Sequence, residues 1–380
     1  MTDNSFISFN KPYMTGMETT HIMEAHANGQ LAGNGPFTQR CQHWLEQHVG
    51  CSKALLTHSC TAALEMAALL IDLQSGDEVI MPSYTFVSTA NAFVLRSAVP
   101  VLIDIREDTL NMDETLIEAA ITKKTKAIVV VHYAGVSCDM DAVMKLAEQY
   151  GLFVIEDAAQ GVMSSCRNKP LGSIGHLAAF SFHETKNVIS GEGGALLIND
   201  QRFAERAEIL WEKGTNRSSF FRGEVDKYTW VDVGSSFLPG ELIAAFLWAQ
   251  LEHAGEITDR RLSLWQHYHD AFAATEATGL VRRPVIPPHC SHNAHMYYLL
   301  LNSPDARSTF IAAMKAENIM TVFHYVPLHL APAGVKFCRT HGTLKHTEEL
   351  SERLVRLPLW PELGARQARV IDCALHSLDL

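Results

Sequence analysis

The stretch AAFSFHETKNVISGEGGALLIND, residues 178–200, sets a single lysine, Lys186, in a polar turn between two apolar runs. Both runs are short and apolar along their whole length, which predicts two strands buried on both faces. After the lysine, Gly191, Gly193 and Gly194 permit a tight backbone turn. Burial between strands favours the neutral form of a lysine amine. Lys186 is therefore the first candidate functional residue of the sequence.

Similar apolar runs recur over the first two-thirds of the chain and alternate with segments of helical period. Strands are predicted at 53–57, 78–82, 99–105, 126–133, 152–158, 178–183 and 194–199. Helices are predicted at 60–73, 85–96 and 138–151. Strands that are apolar on both faces and separated by helices predict an α/β fold, with a mainly parallel seven-stranded sheet covered by helices.

A change of pattern follows this sheet. From Pro239 a long helical pattern leads away from it, and a Pro-rich connection, GLVRRPVIPP, comes next. Beyond the connection we predict a strand at 296–301, a helix at 305–317, a strand at 320–325 and helices to the end. The sequence thus predicts a large domain over residues 1–250 and a smaller α+β domain over residues 251–380. Whether the N-terminal segment packs with the large domain or elsewhere is left open.

Composition excludes several classes of protein. A hydrophobic share of 47% over 380 residues provides for a large core. The net charge of −11, with scattered positive side chains, argues against a nucleic-acid partner. No apolar run approaches the roughly 20 residues that span a bilayer, and no signal peptide is evident, so we expect a cytoplasmic protein without a membrane partner. The eight cysteines form no C-x-x-C pair and are expected to be reduced and mostly buried.

Three polar clusters follow predicted strands, and ligands of open α/β sheets bind at the carboxyl ends of strands. Ser59, Cys60 and Thr61 open a helix whose first N–H groups suit a phosphate, but taken alone this turn is better explained by simple capping by Ser59 or Thr61. Asp157 ends an apolar run, where a turn carboxylate is also common. Lys186 is the third, with a surface lysine as its alternative.

Together the three clusters suggest pyridoxal 5'-phosphate. This cofactor requires an amine that binds its aldehyde as a Schiff base, a carboxylate that keeps its ring nitrogen protonated, and a cradle for its phosphate. Lys186, Asp157 and the turn at 59–61 supply one of each.

At this point the chain resembles a known family over nearly its whole length, the DegT/StrS-type sugar-nucleotide aminotransferases of the aspartate-aminotransferase fold. The motifs that carry the resemblance are SCTAALEMA, VIMPSYTFVSTANAF, PVLIDI, VHYAG, VIEDAAQG, SFHETKNVISGEGGAL and HYVPLH. The resemblance implies that Lys186 forms the Schiff base and Asp157 pairs with the ring nitrogen. Gln160 would bind the phenolic oxygen of the cofactor, and Phe86 would stack on its ring.

The phosphate of the cofactor would, by the same resemblance, be held by Ser181, Thr61 and the amide of Ala62. Many members of the family also lend an asparagine to the phosphate site of a neighbouring subunit. Here the stretch GSSFLPGEL has Ser236 at that place, and a hydroxyl can still donate one hydrogen bond. The resemblance therefore implies a homodimer or a higher homo-oligomer with shared sites.

Together with residues 212–230, this variant resembles one branch of the family, the dTDP-4-amino-4,6-dideoxygalactose transaminases. That branch implies transfer of the amine of L-glutamate to C4 of dTDP-4-keto-6-deoxyglucose, for a surface polysaccharide such as lipopolysaccharide or enterobacterial common antigen. The gluco epimer, amination at C3 and a UDP-linked sugar remain alternatives.

Several histidines and arginines have two interpretations each. His289, His292 and His295 recur at a spacing of three, but no pair of cysteines or of acidic residues completes a coordination shell nearby, so we expect no metal. The side chains expected to face the substrate are His183, Tyr325 and His329, with packing as the alternative for the histidines. Arg217 and Arg222 are candidates for the diphosphate, with exposed salt bridges as the alternative.

Two other functions use the same fold. A pyridoxal-phosphate sugar dehydratase is disfavoured because a histidine replaces the lysine in that offshoot of the family, whereas Lys186 is present here. A regulator that only binds the cofactor would carry a DNA-binding domain ahead of the fold, and the family motifs here begin within a few dozen residues.

Overall fold

The computed structural model describes residues 5–378, which form one large sheet, two small sheets and the helices around them. The strands are β1 (Lys53–Thr57), β2 (Glu78–Pro82), β3 (Val99–Ile103), β4 (Thr125–Val131), β5 (Phe153–Asp157), β6 (Ser165–Cys166), β7 (Lys169–Pro170), β8 (Leu177–Ser181), β9 (Gly194–Ile198), β10 (Val281–Arg282), β11 (Cys290–Ser291), β12 (Tyr297–Leu301), β13 (Arg339–Thr340) and β14 (Leu354–Leu357).

The helices are α1 (Glu18–Ala27), α2 (Pro36–Val49), α3 (Cys60–Leu70), α4 (Val87–Val94), α5 (Ile117–Ala120), α6 (Met140–Tyr150), α7 (Ala204–Trp211), α8 (Arg217–Phe221), α9 (Glu241–Glu252), α10 (Ala254–Ala271), α11 (Ala273–Ala277), α12 (Pro304–Ala316), α13 (Pro332–Phe337), α14 (Lys345–Arg353) and α15 (Arg366–Leu378). None of the helices within residues 5–378 has the length and apolar character needed to cross a membrane.

The large sheet has the strand order β1-β9-β8-β5-β4-β2-β3-β13. Strand β9 is antiparallel to both of its neighbours, and the remaining pairs are parallel. The prediction of a mainly parallel α/β sheet is confirmed, and all seven predicted strands belong to it. The count was one short, because β13 is a two-residue edge strand from the C-terminal region and is too short to leave a periodic signal.

Both faces of the large sheet are covered, as strands that are apolar on both faces require. Helix α3 packs on β8 and β9 with a face that includes Ala63, Met66 and Leu70. Helices α2 and α9 cover the opposite face near Leu56 and Leu197. The burial on both faces leaves the strand ends as the places where polar side chains can gather.

A second core lies around the antiparallel sheet β10-β12-β14. Tyr297, Phe310 and Val370 are fully buried there, and so is Ile7, whose N–H donates to the carbonyl of Asn318 at 2.9 Å. The N-terminal segment therefore packs against the C-terminal region. The domain boundary near residue 250 stays a prediction.

The predicted strand at 320–325 was wrong. Val322 makes an isolated bridge with Arg356, and no regular strand forms over this segment. The carbonyl of Phe323 accepts the guanidinium of Arg356 instead of a ladder N–H. The apolar alternation of this segment serves to line a cavity, while the sheet strand forms at β14.

A buried carboxylate anchors the centre of the large sheet. Glu156, in β5, accepts hydrogen bonds from the backbone amides of Gly172, Ile174 and Gly175, and lies 2.8 Å from Nε2 of His132. Burial alone would raise the pKa of Glu156, but the bonds from His132 and these amides lower it below its usual value. Glu156 therefore fixes β5 to the loop that enters β8.

We predict that Glu156→Gln lowers the free energy of unfolding by about 3 kcal/mol, because one oxygen that accepts hydrogen bonds becomes an NH2 group facing buried donors. The difference from wild type should be complete above pH 4.5, the usual pKa of glutamate, and should shrink as the pH falls through the lower pKa of folded Glu156. Urea unfolding followed by circular dichroism at several pH values measures both effects. The exposed Glu148→Gln is the control, and equal midpoints for the two variants would contradict the anchoring role.

Candidate active site

A cavity of about 710 Å³ lies at the carboxyl ends of β1, β5 and β8. Its other wall comes from the sheet β10-β12-β14, through Leu357 and through Met296 just before β12, and from the N-terminal segment, through Phe9. Parallel strands present their carboxyl ends at one edge of a sheet, which explains why distant polar side chains meet here. The cavity is therefore the candidate active site.

Lys186 lies in a turn after β8, in which its N–H donates to the carbonyl of His183 at 2.9 Å. Its side chain lines the cavity. Within residues 5–378 its amine has no hydrogen-bond or ion-pair partner. Burial lowers the pKa of this amine, Cys60 and Asp157 partly oppose the shift, and Arg356 adds to it. The neutral, nucleophilic form of Lys186 is thus favoured.

Asp157 ends β5 and is buried in the same cavity. Its Oδ2 accepts a hydrogen bond from the hydroxyl of Thr89 at 2.6 Å, and its Oδ1 accepts the amide of Ala159 at 3.2 Å. No cationic side chain among the described residues forms an ion pair with it. Burial raises the pKa of Asp157, while the bond from Thr89 opposes the shift. A positively charged group in the cavity would supply the missing partner.

The turn after β1 brings hydroxyl groups to the cavity. Ser59 caps α3, since its Oγ accepts the amide of Ala62 at 3.1 Å. The predicted phosphate contact through the Ala62 amide is therefore not prepared in this structure, because the helix cap already uses that donor. Thr61 donates to Ser88 at 2.8 Å, and Ser181 lines the same part of the cavity.

Gly194 makes the closeness of β9 to this turn possible. A Cβ at that position would overlap the backbone of Ser59 and Cys60. Gly191 has a left-handed φ of 82° in the turn after Lys186. Gly194 thus allows β9 to pack closely on the turn after β1, and Gly191 allows the turn after Lys186.

Gln160, Tyr325 and Phe86 also line the cavity. The Nε2 of Gln160 donates to the hydroxyl of Tyr325 at 2.9 Å, while its Oε1 accepts the amide of Ala134 at 2.6 Å. The ring of Phe86 is 56% exposed and lies 6.2 Å from the ring of Tyr325. The structure therefore brings these three residues together in one cavity, and their roles toward cofactor and substrate stay predictions.

His183 lines the cavity as well, and its ring is half-exposed. Its Nδ1 lies 2.9 Å from the hydroxyl of Thr185, and its Nε2 lies 3.6 Å from a carboxylate oxygen of Glu192. These contacts orient the imidazole within the loop that carries Lys186.

His329 does not line the cavity, contrary to the expectation that it faces a substrate there. Its Nδ1 lies 2.7 Å from the hydroxyl of Ser83, and its Nε2 lies 3.1 Å from Glu348. The ring faces a separate small depression beside α14. The polar partners on both sides of the ring hold it away from the cavity.

Ser236, Arg217 and Arg222 also lie outside the cavity within one chain. Ser236 is exposed and bridges the backbone of Glu212. Arg222 forms salt bridges of 2.8 Å with both Glu208 and Glu224. Arg217 lies 3.9 Å from Glu212 and stacks on Phe221. Within one chain, the geometry thus agrees with the salt-bridge interpretation of Arg222.

Arg356 is the main cavity residue that the sequence did not indicate. Its guanidinium donates to the carbonyl of Phe323 at 3.1 and 3.3 Å and lies over the ring of Phe9. Among residues 5–378 no carboxylate is within ion-pair distance of it. Burial lowers the pKa of Arg356, so this cation is held at a cost inside the cavity. No local signal could have identified it, because a charged residue in a short strand resembles a surface position.

Two half-buried histidines were also not assigned to the cavity. His324 lies 2.6 Å from the hydroxyl of Tyr133 and stacks on Tyr325, and His295 lies 3.1 Å from Asn187. Burial holds the pKa of both histidines well below the usual value, so both are neutral near neutral pH.

The donor set of the cavity matches the chemistry of pyridoxal phosphate. An amine whose pKa is lowered by burial suits its aldehyde, a buried carboxylate without a cation suits its ring nitrogen, and hydroxyls beside the start of α3 suit its phosphate. Among the described residues the amine has no hydrogen-bond partner and the carboxylate has no cationic partner, and the cofactor would supply both. The hydroxyls line the same cavity, where its phosphate would lie. The residues present therefore fit this cofactor.

Comparison with known proteins gives consistent results. Residues 12–375 match the family described as DegT/DnrJ/EryC1/StrS aminotransferase. The spore coat polysaccharide biosynthesis protein SpsC of Bacillus subtilis is 35% identical over 372 residues, which cover 95% of this chain and 94% of SpsC. The crystal structure of the aminotransferase TlmJ from Streptoalloteichus hindustanus superimposes with a TM-score of 0.90 at 27% identity and covers 99% of both chains. DesV of S. venezuelae, solved in complex with a ketimine intermediate, has a TM-score of 0.88 at 29% identity, again over 99% of both chains.

We predict that Asp157→Asn lowers the pKa of the Lys186 amine further, because the Asp157 carboxylate is one of the charges that raise it. In cofactor-free protein, the modification rate of Lys186 by an amine-acylating reagent should then reach its plateau at a lower pH than in wild type. Mass spectrometry of the Lys186 peptide follows that rate. The exposed Asp226→Asn is the control, and superimposable pH profiles for Asp157→Asn and wild type would show that the two groups do not interact.

Proposed function

The chain belongs to the DegT/DnrJ/EryC1/StrS aminotransferase family of pyridoxal-phosphate enzymes, and we propose that it transfers the amino group of L-glutamate to the keto carbon of a nucleotide-linked sugar. The observation that carries this proposal is the cavity lined by Lys186 and Asp157: among residues 5–378 the amine has no hydrogen-bond partner and the carboxylate has no cationic partner. Burial disfavours the charged form of each group, which is typical of residues placed for chemistry.

When bound, pyridoxal phosphate supplies an electron sink for the carbon that loses or gains a proton. Lys186 would hold its aldehyde and Asp157 its ring nitrogen, while Gln160 and Phe86 contact the ring. The phosphate would be held by Thr61 and Ser181, with Ser88 as an added hydroxyl. A second copy of the chain would contribute Ser236.

Lys186 is also the proposed acid and base of the reaction. Its Nζ accepts the proton that leaves the α-carbon of glutamate, and in the second half-reaction it delivers one to the sugar carbon that gains the amine. The lowered pKa of Lys186 suits a group that must be neutral to accept a proton and charged to return it. Thr89 and the amide of Ala159 keep Asp157 in place and favour its anionic form. The expected kinetic pattern is double displacement.

Arg356 is the proposed anchor for a carboxylate of glutamate. It is a half-buried cation at the cavity wall without an anionic partner among the described residues, and an arginine binds a carboxylate with paired hydrogen bonds. The carbonyl of Phe323 and the ring of Phe9 hold its plane in position. Such an anchor would orient the α-carbon of the donor near Lys186.

We propose assembly as a homodimer, and the surface that carries residues 212–230 supports it. Large apolar side chains are exposed there, among them Phe221, Tyr228 and Trp230, the last at 78%. An exposed apolar patch of this kind indicates a contact with another protein. A second copy seated on it would bring Arg217, Arg222 and Ser236 to the neighbouring cavity, where the arginines could meet the sugar diphosphate.

The sugar substrate is proposed as dTDP-4-keto-6-deoxyglucose and the product as dTDP-4-amino-4,6-dideoxygalactose, for surface polysaccharide biosynthesis. Support comes from residues 212–230 and from GSSFL, which resemble that branch of the family. The relative SpsC is named for polysaccharide biosynthesis. Anchoring the nucleotide diphosphate away from the reacting carbon would place the keto group over the cofactor.

The function is tested by incubating the purified enzyme with L-glutamate and a panel of nucleotide keto sugars, with product stereochemistry read by NMR. We predict amination of dTDP-4-keto-6-deoxyglucose at C4 with the galacto configuration, and no turnover by Lys186→Ala. The gluco epimer, a C3 amine or a preference for UDP sugars would overturn the substrate assignment alone. Absence of amine transfer to every keto sugar would overturn the proposed function.

We predict that Arg356→Lys raises the KM for glutamate roughly 10- to 100-fold, because the paired hydrogen bonds to a carboxylate are lost, with a smaller change in kcat. The KM for the keto sugar serves as the internal control and should stay near the wild-type value. A change confined to the KM of the sugar would place Arg356 at the sugar nucleotide instead.

A further inference from the structure

Cys166, His289 and Cys290 form a cluster of metal-ligating side chains outside the cavity. Their two sulfur atoms and one imidazole nitrogen all lie within 4.8 Å of one another. It is the one group of three such ligands found within residues 5–378. The cluster joins residues that are more than one hundred positions apart in sequence.

The pairing of β6 with β11 brings the two sulfurs together. Cys166 lies directly opposite Cys290 in this antiparallel pair. The N–H of Arg167 donates to the carbonyl of His289 at 2.8 Å, so the hydrogen bonds flank the cysteine pair and do not join it. In such a pair the side chains approach most closely and lie on the same face. The backbone thus sets both sulfurs toward one point.

A turn adds the imidazole. The N–H of Cys290 donates to the carbonyl of Pro287 at 2.9 Å, which closes a turn with His289 at its third position. The turn directs His289 to the face of the neighbouring sulfur, where a continued strand would send it to the opposite face. His289 is exposed, Cys290 is half-buried and Cys166 is buried, so the cluster opens to solvent on one side.

The charges beside the cluster are compatible with a cation. The guanidinium of Arg167, the residue after Cys166, forms a salt bridge with Asp141. Two thiolates would balance the charge of a divalent ion. In a tetrahedral zinc site the ligand atoms lie about 3.5–3.8 Å apart, which a small inward movement of this cluster reaches.

We propose that Cys166, His289 and Cys290 bind one Zn²⁺ ion, with a water molecule at the fourth position. Sulfur and imidazole ligands in tetrahedral geometry select zinc among the common cellular cations. Binding releases a proton from each thiol that is protonated beforehand. The proposal is independent of the aminotransferase reaction.

The place of the ion in the fold suggests a structural role. Strand β6 follows Gln160 and Val162, and β11 precedes Asn293 and His295. The amide of Asn293 already joins these two segments by donating to the carbonyls of Gln160 and Val162, at 2.8 and 2.7 Å. A zinc ion would add a second link between the segments of β6 and β11 and would stabilise the cavity wall.

A disulfide between Cys166 and Cys290 is the competing interpretation. It would use the two sulfurs but would leave the position of His289 without a purpose. The presence of three ligands, each of a type that zinc prefers, therefore favours the metal.

The test uses the untagged holoenzyme, reduced by a phosphine and freed of unbound cofactor, and measures Zn²⁺ binding by competition with a chromophoric chelator. We expect one Zn²⁺ per chain for wild type and for the controls Cys373→Ser and His43→Gln. Cys166→Ser and His289→Gln should each bind at least about tenfold more weakly, since even outer partners of a metal ligand contribute that much. Replacement by Co²⁺ should give full thiolate-to-metal absorption in wild type and in the two controls, and weaker absorption in Cys166→Ser and His289→Gln at the same concentration of Co²⁺.

Equal zinc affinity in wild type and His289→Gln would overturn the three-ligand site. Absence of zinc binding, together with a Cys166–Cys290 cross-link that forms under a mild oxidant, would replace the metal site with a redox pair. Because His289 is exposed, its substitution leaves the fold intact even if that of buried Cys166 does not.

Discussion

The parallel pairing of β5 with β8 is the contact on which the active site depends. It sets Asp157 opposite Ala179, so the strand that ends in the buried carboxylate lies beside the strand that leads through Ser181 to Lys186. Successive side chains of a strand point to opposite faces. Glu156 can therefore bind the loop before β8 while Asp157, the next residue, points to the cavity. One strand thus carries both the anchor of the sheet and a group of the site.

The cavity places ionisable groups away from water without ionic partners among the described residues, which is energetically unfavourable. Asp157 and Arg356 have no ionic partner among the described residues, and the Lys186 amine has no hydrogen bond there. Burial shifts the pKa of each group toward its neutral form. A fold selected for stability alone would pair or exclude such groups, so their presence in one cavity marks where ligands bind.

The second wall of the cavity comes from chain segments that follow the large sheet. The irregular segment 320–325, which was predicted as a strand, contributes His324 and Tyr325, and β14 contributes Arg356. Hydrogen bonds from Gln160 to Tyr325 and from Asn293 to the carbonyl of Gln160 connect this wall to the large sheet. The proposed zinc ligands lie beside the same junction, where β6 meets β11.

By itself the sequence determined the α/β sheet and the two central site residues, because an apolar run between helices and a polar residue at its end are local signals. Lys186, Asp157, Gln160, Phe86 and Ser181 were identified in this way or by family resemblance, and all five line the cavity. Only the tertiary structure placed Arg356 inside the cavity and His329 outside it. It also brought Cys166 beside Cys290 and His289, from which it is distant in sequence. The reason is physical: periodicity reports which face of an element is buried, but contacts between distant elements depend on strand pairing and packing across the whole chain.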